Sequence, residues 1–318
     1  MVRSLFTLAL AMTASTAGAQ SLPPAPPPAD PLTAIINTDD VDRFAKLWRE
    51  TKGKPTATQL QRDYLDKGSY GVSVFTPGRI ENAKNLAAVI ARDPKRYDDA
   101  VNLCLPRIAS STGDLRATYL ALQGLFPDAR LPQVYMVIGA NNSGGTADSS
   151  AQVLGLEILC ADNQTPEKLR KTLAFMFAHE TVHSLQKIPA NYDDTPFLNQ
   201  LLMEGAADFI AALITGEQPA PERAAWAEPR EHALWTALQA DLAQAKPPLQ
   251  RWMYNYQSAP QGWHSDVGYW MGQRIWQSYY DQAADKRQAV RDMLDWGDAS
   301  TILEKSGYAA SAKGEQPL

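Results

Sequence analysis

Histidine is scarce in this chain: there are four in 318 residues, and two of them fall in His179-Glu180-Thr181-Val182-His183. On a helix, positions i and i+4 leave the same face, so His179 and His183 can aim at one metal ion. Glu180 lies beside them and can reach a water bound to that ion without ligating it. A catalytic zinc takes three protein ligands and keeps an open position, so a third donor is expected from elsewhere. Glu204-Gly205-Ala206-Ala207-Asp208 supplies one. Glu204 and Asp208 again stand one turn apart, and the small residues between them let their helix approach the first closely. Glu204 is assigned as the third ligand. Asp208 is assigned as the carboxylate that receives the free N–H of His179 and fixes its tautomer. The bland alternative is a pair of core or surface histidines and an exposed acidic face. It fits poorly with the apolar company of Phe175, Met176, Phe177 and Ala178, and of Leu201, Leu202, Phe209 and Ile210. Zinc is the default ion, and the same donors can accept cobalt or manganese in vitro.

HExxH, followed about twenty residues later by an acid, three residues and Asp, resembles the gluzincin (thermolysin-like) zinc metallopeptidases. More narrowly, "HETVHSLQ", "MEGAADF" and "GYWMG" look like the poorly characterised bacterial families described as zinc-dependent proteases with an HExxH...EGxAD core. Relatives of gliding-motility lipoproteins are among these. The resemblance implies a zinc metallopeptidase in which His179, His183 and Glu204 hold Zn2+ and Glu180 is the general base on a metal-activated water. It also implies a donor for the oxyanion. Tyr269 is the candidate, with His264 behind it, although Tyr269 also reads as a core aromatic, with Gln273, Trp276 and Tyr280 following at helical spacing. Peptide binding at a sheet edge is a further implication, and Gln152 to Leu159 stands where that edge strand belongs.

Several elements must position these residues. Thr165-Pro166-Glu167 has an N-cap hydroxyl, a proline at the first helical position and an acid in the first turn, which predicts a helix running to about Lys187. Pro196 to about Thr215 is the next helix, stopped by Gly216. Upstream, Val134 to Ile138 and Gln152 to Leu159 read as two strands joined by a long loop containing Gly144-Gly145, which could flex over the cleft. The stretches before Leu131 and after Glu222 carry apolar residues at helical spacing. The expected fold is mainly α with a small β-sheet (α+β), a zincin-like arrangement with an active-site helix, an edge strand and a helical C-terminal subdomain. Its divisions are a signal peptide at 1–19, a Pro-rich linker at 20–33, a helical region at 34–130, a core at 131–217 and a C-terminal helical part at 218–318.

Arg3, the short apolar run from Ser4 to Ala14 and Ala17-Gly18-Ala19 read as a cleavable secretory signal, which predicts a periplasmic or secreted protein. No cysteine follows the cut, a departure from lipoprotein relatives. No later segment is expected to span a membrane. A net charge of −5 without a Lys/Arg run gives no reason to expect nucleic acid as a partner. A peptide or protein substrate is expected. Cys104 and Cys160 read equally as one disulfide or as two buried thiols. Two other readings stand beside the peptidase: a different zinc-dependent hydrolase, and a non-catalytic zincin-like binding or maturation protein of the cell envelope. The intact Glu180 favours catalysis over the last.

Overall fold

The structure is a computed structural model that describes residues 23–161, 163, 165–256 and 258–308. The expected signal at 1–19 lies outside the described residues. The chain is mainly helical with one small mixed sheet. Strand β1 (Ile36–Asn37) precedes α1 (Asp39–Glu50), α2 (Ala57–Leu60), α3 (Tyr70–Phe75), α4 (Ala83–Arg92), α5 (Pro94–Asp99) and α6 (Thr112–Leu125). Strands β2 (Gln133–Val137), β3 (Gly145–Ala147) and β4 (Ala151–Gly155) follow, then α7 (Leu156–Ala161), α8 (Pro166–Leu185) and α9 (Pro196–Thr215). The chain continues through α10 (Pro221–Ala227), α11 (Glu231–Leu242), α12 (Leu249–Trp252), α13 (Val267–Gln282), α14 (Lys286–Asp292) and α15 (Ala299–Ser306). Ahead of β1 the Ala29 N–H bonds Leu131 O at 2.8 Å, and the chain then turns at 31–33, with the Ala34 N–H on Asp30 O at 2.7 Å.

The sheet order is β1-β2-β4-β3, parallel across the first two pairings and antiparallel between β4 and β3. Two sequence expectations need correction. The second strand ends at Gly155, and Leu156 to Leu159 begin α7 instead. Their apolar character reflects helix burial, which a short apolar run cannot distinguish from a strand. Moreover, β4 is an interior strand. The edge is β3, formed by part of the expected loop, so that loop is ordered as sheet where it passes α8.

Buried polar bonds join the layers. Gln152 on β4 donates through Nε2 to Tyr119 Oη at 2.9 Å and to Thr181 Oγ1 on α8 at 2.8 Å. This fixes α8 against the sheet, because an unpaired buried amide is costly. Helix α8 starts at Pro166, with Thr165 Oγ1 accepting from the Lys168 N–H, and α9 ends on Gly216 at φ +70. Helix α9 meets the length and composition of a membrane span, contrary to expectation, yet most of that stretch is buried against α8 and α13. Its apolar character therefore serves the core, which among the described residues is one cluster reaching from Ala34 to Tyr308. A disulfide joins Cys104 to Cys160, deciding between the two readings of that pair.

Candidate metal centre

The two imidazoles leave α8 on one face, and α9 brings Glu204 up to them. His183 Nε2 lies 3.1 Å from His179 Nε2 and 3.1 Å from Glu204 Oε2, and His179 Nε2 lies 3.5 Å from the same oxygen. The three candidate ligand atoms all fall within 4.8 Å of one another, the spacing needed to share one ion.

The other ring nitrogens face oxygens, His183 Nδ1 in a hydrogen bond and His179 Nδ1 at ion-pair distance without hydrogen-bond alignment. His179 Nδ1 stands 3.0 Å from Asp208 Oδ1, the partner expected from the sequence. His183 Nδ1 stands 2.8 Å from Gln186 Oε1, and the Gln186 amide Nε2 donates to Met203 O at 2.8 Å. An ionised carboxylate only accepts, and this amide presents its oxygen to the ring. The network therefore assigns a proton to Nδ1 of His183, and the Asp208 carboxylate beside His179 Nδ1 favours one there. Two Nε2 atoms and a carboxylate oxygen then converge, an arrangement that calls for a positive charge among them, whether a proton or a metal ion.

The electrostatics agree. Burial disfavours a charged His179, but the Asp208 and Glu204 carboxylates outweigh it and lift the proton affinity to about 10. His183 is also raised: burial opposes the shift and Glu204 drives it. Burial pushes the Glu204 carboxyl up, but the two imidazoles prevail and hold it well below the usual range. A site that draws protons this strongly offers the same attraction to a divalent ion. The residues present fit one: two neutral imidazoles, one carboxylate, and outer partners that orient them.

Three further contributors stand outside the expected site residues. Gln186 lies just past the end of α8 and orients His183. Arg223, buried on α10, donates through Nη2 to Asp208 Oδ2 at 2.7 Å. This supplies the counter-charge that lets Asp208 stay buried. Tyr254 donates its phenol proton to Glu204 Oε1 at 2.8 Å. Gln186 stands only three residues after His183, whereas Arg223 and Tyr254 are far from the motif in the chain, so spacing could not reveal those two.

The remaining expected site residues fare differently. The Tyr269 ring stacks with His179 at 6.5 Å between centroids and carries the Arg223 guanidinium 5.2 Å from its centre. His264 shares Nδ1 with Ser265 O at 2.9 Å and is not part of the three-donor group. Glu180 is buried, and burial raises its carboxyl. Its Oε1 abuts β3 so closely that a Cβ on Gly145 would stand 2.3 Å away.

Residues 32–310 match the family model described as Gliding motility protein GldB. The chain belongs to the GldB family. No curated protein and no solved structure matches it. GldB membership corrects the expectation of a gluzincin peptidase: the matching family is one of gliding motility proteins, and a non-catalytic envelope role fits it better than peptide hydrolysis. The catalytic parts given to Glu180, Tyr269 and His264 lose their basis with it. A location in the cell envelope follows from the family and is compatible with the expected secreted or periplasmic site. The motif misleads because HExxH with a distant acid specifies how an ion is held, not what is done with it.

Proposed function

We propose that this GldB-family chain is a non-catalytic protein of the cell envelope that holds one zinc ion between α8 and α9 and acts in gliding motility by binding or maturing a partner. What carries the reading is an intact three-donor site within a chain that a motility family spans from residue 32 to 310. The ion would be held by His179, His183 and Glu204, with Asp208 and Gln186 orienting the rings. Bound there, it would bridge two core helices, so folding and metal uptake would be linked. We read the helix pair beside β3 as a zincin-like arrangement reused as a scaffold.

The non-catalytic reading must account for Glu180. Its carboxylate fills the space over Gly145 and so seats β3 on α8. Arg79 is close enough to favour its charged form and is linked to the same loop through Ser143 Oγ at 3.3 Å. A packing role of this kind does not need turnover.

Elemental analysis of the purified protein tests the reading. Zinc near one equivalent per chain is expected, and its loss in His183→Ala. A peptide-library digest by the zinc-loaded protein should show no cleavage that Glu180→Gln lacks. Zinc-free protein, or cleavage that depends on Glu180, would overturn the reading.

A further inference from the structure

Tyr254 presents an unusual combination. Its backbone is left-handed, at φ +57, a region that non-glycine residues enter at a cost. Its ring is half exposed, yet its hydroxyl ends on the buried Glu204 carboxylate. The neighbouring Asn255 is fully buried and locked: its N–H bonds Asp266 Oδ1 at 3.0 Å, and its Oδ1 receives the Asp266 N–H at 2.7 Å. This reciprocal pair closes the loop and holds Tyr254 in the strained conformation. Strain retained by its surroundings is a pointer to function.

The hydroxyl's role is set by a directed chain. The Tyr192 hydroxyl donates to Gln200 Oε1, and Gln200 Nε2 donates to the Tyr254 oxygen. Tyr254 already accepts from Gln200, so its own proton is free to go to Glu204 Oε1, which can only accept. Each donor in such a chain polarises the next. Glu204 is thereby divided. Oε2 faces both imidazoles, and Oε1 is held by the phenol.

We propose that Tyr254 is a positioning residue that restricts Glu204 to the metal through a single oxygen, keeping the site at three protein donors. The inference rests on the metal-holding reading of the site. A second carboxylate oxygen would suit larger, oxygen-seeking ions, so the Tyr254 bond also favours zinc over manganese.

Cobalt(II) replacing zinc in the full mature protein reports donor number through its visible bands, which weaken when a fifth donor is added. Tyr254→Phe keeps the ring, including its edge contact with Tyr269, and removes only the hydroxyl. The variant is expected to show weaker cobalt bands, about tenfold lower zinc affinity and a smaller zinc-to-manganese preference. Circular dichroism checks its fold. Should it fail to fold, Gln200→Met removes the donor behind the phenol and should shift the same readouts in the same direction. Cobalt bands and zinc affinity unchanged in a folded, metal-loaded variant overturn the proposal. Wild-type protein that takes up neither cobalt nor zinc instead overturns the metal reading itself, and this inference with it.

Discussion

Gly205 and Gly272 bring α9 and α13 together with no room for a methyl group. A Cβ on Gly205 would lie 2.1 Å from Gly272 C, and one on Gly272 would lie 2.0 Å from Leu201 O. Both obstacles are backbone, which cannot swing aside as a side chain can. Trp276 on α13 adds a bond from Nε1 to Leu202 O at 2.8 Å. The crossing lies directly beside Glu204, so it sets where the third donor stands. Gly272→Ala is therefore expected to lose about 3 kcal/mol of stability through overpacking. It should lose zinc as well, because α9 must move. Urea denaturation and metal content of the variant check this, and wild-type values for both would contradict it.

How far the sequence reached depends on how each signal arises. His179, His183, Glu204 and Asp208 were legible because helical spacing alone puts each pair on one face. The ends of α8 and α9 were legible because Thr165, Pro166 and Gly216 act locally. The small residues after Glu204 are expected to admit α8, and α8 does pack on α9, while the backbone contact at Gly205 is with α13. The pattern shows that some backbone comes close, but not which one. Arg223 and Tyr254 reach the site through tertiary folding, and nothing in their local sequence marks them, whereas Gln186 meets His183 locally, three residues on. Gly145 within an apparent loop became an edge strand because its partner β4 lies a few residues on, a pairing that short segments do not announce.

Metal removal should loosen the α8–α9 pair. An ion bound only by the folded state adds about 2.7 kcal/mol at a hundredfold excess over its dissociation constant. For a chain of this size, stripping with a chelator should lower the melting temperature by roughly 5 °C. Added zinc should restore it, and His183→Ala should show no response. An identical melting temperature in stripped and reloaded wild-type protein would count against the site.

Glu157 gives a pH dependence independent of the metal. It is fully buried, and burial lifts its carboxyl to about 7 despite N–H bonds from Gly139 at 2.9 Å and Asn141 at 3.3 Å. Unfolded, the same group titrates near 4.5. Between these values the folded state binds more protons than the unfolded one, so stability falls as pH rises from about 4.5 to 7 and then levels off. The expected loss is about 3 kcal/mol. The readout is the difference between wild type and Glu157→Gln at the same zinc concentration, because the ligand imidazoles still titrate in the unfolded chain of both. Urea midpoints across this window should fall in the wild type relative to Glu157→Gln. Parallel profiles would show that Glu157 does not titrate as stated.

The disulfide between Cys104 and Cys160 spans 56 residues and joins the helical N-terminal part to α7, just ahead of the metal-bearing helix. Closing a loop of that length removes freedom mainly from the unfolded chain, by about 4 kcal/mol. An oxidising envelope compartment allows such a bond to persist. Replacing both cysteines by serine should therefore lower the urea midpoint by the equivalent of about 4 kcal/mol. Zinc content under native conditions should stay unchanged, because neither sulfur touches the donors. The stability loss should appear equally when the wild type is unfolded in the presence of a reductant. A double variant as stable as the oxidised wild type would mean that the two segments are already held together by packing in the unfolded ensemble.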